Sequence, residues 1–114
     1  MKKFEKLTRY LPMLKVADAN VLRRLDEDIY AFVDDCPEYG LTGYLVILKE
    51  NNIEWGMSAM QNADVASLGA RAVLALLVGA VRAERYSMDA MQIFLEDGQL
   101  SKWLTRLLEL DMDD

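Results

Sequence analysis

The run Arg82-Ala83-Glu84-Arg85-Tyr86 sets two guanidiniums, a carboxylate and a phenol directly behind a segment that is apolar from Ala72 to Val81. Arg82 and Arg85 are three residues apart, so a helix carries them on one face, where a pair of guanidiniums can clamp a carboxylate or a phosphate. The same residues have a structural use. A helix C-terminus holds unpaired carbonyls and partial negative charge, and each arginine there stabilises it by about 0.3–1 kcal/mol; Arg85 can also reach Asp89. At about 100° per residue, Glu84 is turned well away from Arg82, so it is expected to bond another helix or a ligand. Buried ionic networks pin folds without chemistry, so a structural lock is the preferred reading of the block. The alternative is a ligand site built from Trp55, Arg82, Glu84, Arg85 and Tyr86.

Other chemistry is thin. The chain contains no histidine, which removes the commonest general base and the commonest zinc ligand, and leaves carboxylates, Lys, Tyr and Cys36. Trp55, beside Gly56, could stack on a planar ligand, but an indole in a small domain more often fills space with its N–H on a carbonyl. Asp26, Glu27, Asp28, Asp34 and Asp35 match no calcium-loop spacing and read as a solvated helix face, with Asp26 and Asp35 the two that could converge beyond local pairs. Cys36 falls near a helix C-terminus, where the dipole disfavours a thiolate, and reads as a small buried hydrophobe. No metal or cofactor is expected. The seven methionines suit either an adaptable partner groove, with Met57, Met60, Met88 and Met91 in it, or gaps in the core.

With 114 residues, 53% hydrophobic and 28% charged, the chain can bury a core without staples. A lone cysteine permits no internal disulfide and suits a reducing cytoplasm. Charges at Glu5, Lys6 and Arg9 interrupt what a signal peptide would need, and Ala72 to Val81 is about half of a membrane span. The net charge of −6 opposes attraction to nucleic acid or anionic lipid. Lys2, Lys3, Lys6, Arg9 and Lys15 are the local exception and read as the outer face of an amphipathic helix.

The elements that must position these residues are helical. Phe4, Leu7, Leu11 and Leu14 share a stripe that Pro12 should kink or end near Tyr10 to Leu11. Val21, Leu22, Leu25, Ile29, Phe32, Val33 and Cys36 define a second helix, closed by Pro37 and carrying Arg23–Glu27 and Arg24–Asp28 pairs outside. Tyr44 to Leu48 fits helix or strand by periodicity, and helix is chosen because no partner strand is visible and Asn51 and Asn52 look like a stop. Ile53 to Gly56 is a loop, and Met57 to Asn62 makes one or two turns. Ser67 to about Tyr86 is apolar all round and should be a buried central helix, with Gly79 marking a close crossing. Ser87 can cap a helix from Met88 to Glu96, Gly98 ends it, and Gln99 to Leu110 forms the last helix, followed by an acidic tail expected to fray. The fold class is therefore all-α, residues 1–114 forming one domain of six or seven helices in an irregular or partly orthogonal bundle, with a regular four-helix bundle as the alternative.

Ile53-Glu54-Trp55-Gly56, Ala63-Asp64-Val65, the stretch from Ala75 to Tyr86, and Lys102-Trp103-Leu104-Thr105-Arg106-Leu107 together give a family resemblance. From about Ile29 onward the chain resembles the small bacterial helical proteins of domain-of-unknown-function family 6508. Where that family has a phenylalanine and a glycine around the arginine block, this chain has Tyr86 and Ala90. The resemblance implies a helical protein of a bacterial cytoplasm and no particular activity. Together these readings favour a non-catalytic protein-interaction module, self-associating or acting as an adaptor through Met and aromatic side chains. A small-molecule or phosphate-binding domain, conceivably an enzyme, is the alternative, and it requires a concave site with perturbed carboxylate titration where the block's residues meet.

Overall fold

Ten consecutive residues, Ala72 to Val81, are buried on every side of one helix, and that burial organises the molecule. The computed structural model describes residues 3–16, 19–84 and 89–112. Among them are seven α-helices: α1 Glu5–Thr8, α2 Ala19–Asp35, α3 Tyr44–Glu50, α4 Met57–Gln61, α5 Ala70–Ala83, α6 Ala90–Glu96 and α7 Gln99–Met112, with no strand. Helices α2, α3, α6 and α7 all pack on α5, while α1 packs on α2 and α7. A helix that is apolar all round has no face to give to water, so its neighbours must enclose it. Unequal helix lengths make the assembly an irregular bundle rather than a regular four-helix one.

Several boundaries differ from expectation for local reasons. The N-terminal helix stops at Thr8, and the backbone continues as a tighter 3-10 turn over Leu11–Val16. Pro12 lies inside that turn, which keeps Leu11 and Leu14 near the core without the hydrogen bonds a proline would break. The central helix begins at Ala70 rather than Ser67, because Val65–Ser67 forms its own 3-10 turn, capped by Asp64 accepting from the Ala66 N–H at 3.3 Å. Helix α6 starts at Ala90; the proposed Ser87 cap, Met88 and the Arg85-Tyr86 end of the central segment lie outside the described residues. The short segment Tyr44–Glu50 is helical, and Asn52 beyond it adopts a left-handed φ of 61°, as asparagine tolerates at a helix stop. Gly98 ends α6 at φ 80°.

Two polar contacts depart from the sequence reading. Asp28 does not pair locally with Arg24: it accepts from Arg9 at 2.7 Å and from the Tyr10 hydroxyl at 2.5 Å, tying the N-terminal segment to α2. Burial alone would raise the Asp28 carboxyl, but those two bonds outweigh it and hold it below the usual carboxylate range. Arg23 likewise turns to Asn20, at 3.0 Å, instead of Glu27.

The C-terminal end is not loose at Asp111, whose carboxylate accepts from the backbone N–H groups of Lys3 and Phe4, each at 3.0 Å. Those N–H groups lie just ahead of Glu5, so Asp111 ties the start of the N-terminal segment to α7 from across the fold. Asp111→Ala is expected to cost about 1 kcal/mol, read as a lower urea midpoint with unchanged slope. Asp113 and Asp114 lie outside the described residues.

Met57, Met60 and Met91 serve the core, while Met112 is exposed. Met60 and Met91 are fully buried and Met57 packs against the same cluster, so the idea of a methionine-lined groove is corrected for these three; Met88 lies outside the described residues. A flexible thioether fits the irregular gaps left where short helices meet a long one.

Candidate functional site

Of the five residues singled out in the sequence, Trp55, Arg82 and Glu84 are described, and these three do not line one cleft. Trp55 belongs to the loop before α4, and its indole N–H donates to the Gly79 carbonyl at 3.0 Å. Gly79 allows this approach: a Cβ there would stand 3.2 Å from Trp55 Cδ1, 3.2 Å from Met60 Cε and 3.5 Å from Leu48 Cδ1. The close crossing expected at Gly79 is thus made by a loop indole together with α3 and α4. The ring also meets Tyr44 edge-on, with centroids 6.4 Å apart. Trp55 is a plug with a partly open rim, 36% exposed.

Arg82 turns to α2, its guanidinium carbon 5.2 Å from the centre of the Tyr30 ring. A guanidinium over a phenol is a cation–π contact. Its Nε is buried and has no hydrogen-bond partner among the described residues. Arg85 and Tyr86 lie outside the described residues, so the structure places neither beside Arg82.

Glu84 closes α5 and holds the start of α6: its Oε1 accepts from the Met91 N–H at 3.1 Å. It therefore does bond another helix. The same side chain meets Asp26 of α2 at a cleft of about 290 Å³ that Arg23, Asp89 and Gln92 also line. Burial, the Glu84 charge and a hydrogen bond with Glu84 push the Asp26 carboxyl up to about 7, with Glu27 adding to the effect. Asp26 Oδ1 is buried without a partner among the described residues. Asp26 therefore keeps its proton up to near neutrality, because desolvation and the neighbouring negative charge both oppose its ionisation.

Asp26 was grouped with solvated acids in the sequence, although a signal was there. It stands four residues after Leu22 and three before Ile29, both buried, and so lies on the edge of the apolar stripe. A carboxylate on that edge needs a partner across the helix interface.

A second feature lies around α3. Four large apolar side chains are exposed among the described residues, and three are neighbours around α3: Leu45 at 50%, Val46 at 61% and Trp55 at 36%. Helix α3 is apolar from Tyr44 to Leu48; Ile47 and Leu48 are buried and Tyr44 packs partly against the core. The remaining side of that run therefore faces outward, joined to Trp55 through Tyr44.

Cys36, the one thiol, is half-buried rather than enclosed. Burial pushes it up, and Glu38 and Asp35 push further, so it is no nucleophile at neutral pH. Among the described residues no group of three or more His, Cys, Asp or Glu side chains could hold a metal ion, and no helix is long and apolar enough to cross a membrane.

The fold and these features define an all-α domain with a buried central helix, a cleft lined by Asp26 and Glu84, and exposed apolar side chains on α3. Comparison with known proteins adds no relative: no family model matches the chain, and neither a curated protein nor a solved structure is detectably similar to it.

Proposed function

We propose that this chain is a non-catalytic protein-interaction module of the cytoplasm, and that it associates with a second copy of itself through the outer side of α3. The carrying observation is the cluster of Leu45, Val46 and Trp55, three of the four large apolar side chains left exposed among the described residues. Scattered exposed leucines need no explanation, whereas adjacent Leu45 and Val46 on one helix, with Trp55 in the loop that follows it, mark a contact face. Lys49 and Glu50 follow on the same helix, and Glu54 stands in the loop beyond it. A twofold arrangement can set Lys49 of one copy against an acid of the other, so the face is self-complementary in charge as well as apolar. The overall −6 repels a second copy, and a seven-residue helix offers a small area, so the association is weak, in the range of about 10 μM to 1 mM.

Sedimentation velocity across that range tests it. The parent should move from the 13.0 kDa monomer toward twice that mass, and Leu45→Lys with Val46→Lys should remain monomeric at every concentration. A parent that stays monomeric at about 1 mM refutes the self-association.

One observation favours a small-molecule site: a carboxyl perturbed to about 7 in a cleft that includes Glu84. That reading ranks second because Trp55 and Arg82 do not line the cleft. Inorganic phosphate shifting the Arg23, Glu84 and Gln92 resonances in a saturable way would reverse the order.

A further inference from the structure

Between the N-terminal segment and the end of α2 lies a cavity of about 530 Å³, lined by Lys3, Lys6 and Arg9 from the first and by Phe32, Asp35 and Cys36 from the second. Cavities of that size hold small molecules. Its floor is preformed and uncharged. The buried Phe32 ring rests against those of Phe4 and Tyr39, with centroids 6.1 Å and 5.9 Å away. Cys36 keeps its thiol proton at neutral pH, because burial and the charges of Glu38 and Asp35 push it up. The alkyl stems of Lys3, Lys6 and Arg9, three residues apart along the chain, add apolar wall beneath charged tips.

The rim is charged. Arg9 is held by Asp28 at 2.7 Å and makes a fixed wall. Lys6 has Asp35 opposite it at 4.0 Å, and both side chains are largely exposed, at 74% and 62%. An ion pair so long and so wet contributes little and exchanges readily. Glu5 is the second acid of the lining, so three cations stand here against two acids, in a chain whose total charge is −6.

We propose that this cavity binds one amphipathic carboxylate, its hydrocarbon chain lying on Phe32 and Cys36 and its head replacing Asp35 at Lys6, with Lys3 beside it. The exchange gives Lys6 one carboxylate for another, while the hydrocarbon chain leaves water. An anion without a chain would leave the floor unused, and a cation of the same length would meet the Lys6 ammonium. The cavity shares no residue with the α3 face, so the site stands or falls without the self-association.

Decanoate and decyltrimethylammonium, each titrated into the whole protein below its micelle concentration and followed by amide NMR, test this. Decanoate should shift the Lys6, Phe32 and Cys36 amides together and saturably, with a Kd of about 10 μM to 1 mM, and the ammonium should bind about tenfold more weakly or worse. Lys6→Glu should weaken decanoate about tenfold. Asp35→Asn removes the competing acid and should tighten it about threefold, a gain that a merely structural role for Asp35 would not produce. Both positions are exposed, so the variants should keep the parent's fold and its spectrum away from the cavity. Absence of a saturable decanoate shift overturns the site. So does equal affinity for the two amphiphiles, or Asp35→Asn binding no tighter than the parent. Capture of the protein by phosphatidylglycerol vesicles, with decanoate leaving the Phe32 and Cys36 amides unmoved, would assign the basic rim to a lipid surface and likewise overturn the proposal.

Discussion

Gly79→Leu will destabilise the fold by about 3 kcal/mol, whereas Gly79→Ala will cost about 1 kcal/mol or less. The difference follows from what surrounds one hydrogen atom. A Cβ at this position sits 3.2 Å from Met60 Cε and from Trp55 Cδ1. The methionine end can give way by a few tenths of an ångström, and alanine regains up to about 1 kcal/mol of helix propensity. Leucine adds three further carbons where Leu48 Cδ1 already stands 3.5 Å from the first. Such overpacking costs about 1–3 kcal/mol. It also drives the indole off the Gly79 carbonyl, a bond worth about 1 kcal/mol. Urea unfolding of the two variants measures the difference. Because Trp55 borders the proposed contact face, Gly79→Leu should weaken self-association too, while Gly79→Ala should leave it near the parent value. Equal losses for the two variants would mean that the crossing at Gly79 is looser than described.

The second large effect is a stabilisation. Asp26→Asn should raise stability at pH 8 by about 2 kcal/mol and change it little at pH 4. The sign comes from linkage. The Asp26 carboxyl is raised from 3.8 to about 7 in the fold, so the folded state holds a proton that the unfolded chain has released. The stability associated with that proton is fully present below pH 3.8, declines as pH rises through about 7, and is gone above it. A shift of this size would be worth about 4 kcal/mol for an isolated buried group, and we halve it because the pair borders an open cleft where solvent screens it. Asparagine keeps the shape and a donor for Glu84 and never ionises, so its profile should lack the decline. Chemical denaturation from pH 4 to pH 9 gives both curves. Parallel curves for parent and variant would show that Asp26 ionises as freely in the fold as in the unfolded chain.

The parts of the fold legible in the sequence are those set by local rules. Periodicity gave α2 its length, an all-round apolar composition marked α5 as central, and Gly98 marked the end of α6 because a left-handed residue is needed there. Tyr44 to Leu48 could be assigned to helix because the asparagines behind it supply a stop. The misreadings arose where a side chain's partner lies far along the chain. The sequence around Asp111 reads as a fraying tail because nothing near it needs an acceptor; the N–H groups it satisfies belong to Lys3 and Phe4. Asp28 was paired with Arg24 on its own helix, whereas Arg9 and Tyr10 reach it from the N-terminal segment.

The site was partly legible for the same reason. The geometry of one helix showed that Glu84 turns away from Arg82, and its bond to α6 follows that geometry. Trp55 was rightly read as a plug whose N–H finds a carbonyl, but sequence spacing gave no means of naming Gly79 as the acceptor or of seeing that one edge of the ring stays open. Spacing marks Asp26 only as one of two acids in a run that could converge beyond local pairs, without naming Glu84 as the group it meets. Its position on the edge of an apolar stripe carries the information, and that position becomes meaningful once α5 is known to pack there.

The proposed function rests on whether Leu45 and Val46 meet a second copy. Methyl NMR spectra of the parent over a dilution series from about 1 mM to about 10 μM put this directly. The account predicts that the Leu45 and Val46 methyl resonances move with concentration and saturate together, while those of Ile47 and Leu48, packed on α5, stay fixed. Methyl positions at Leu45 and Val46 that do not change across the series, or changes confined to another face, would contradict it.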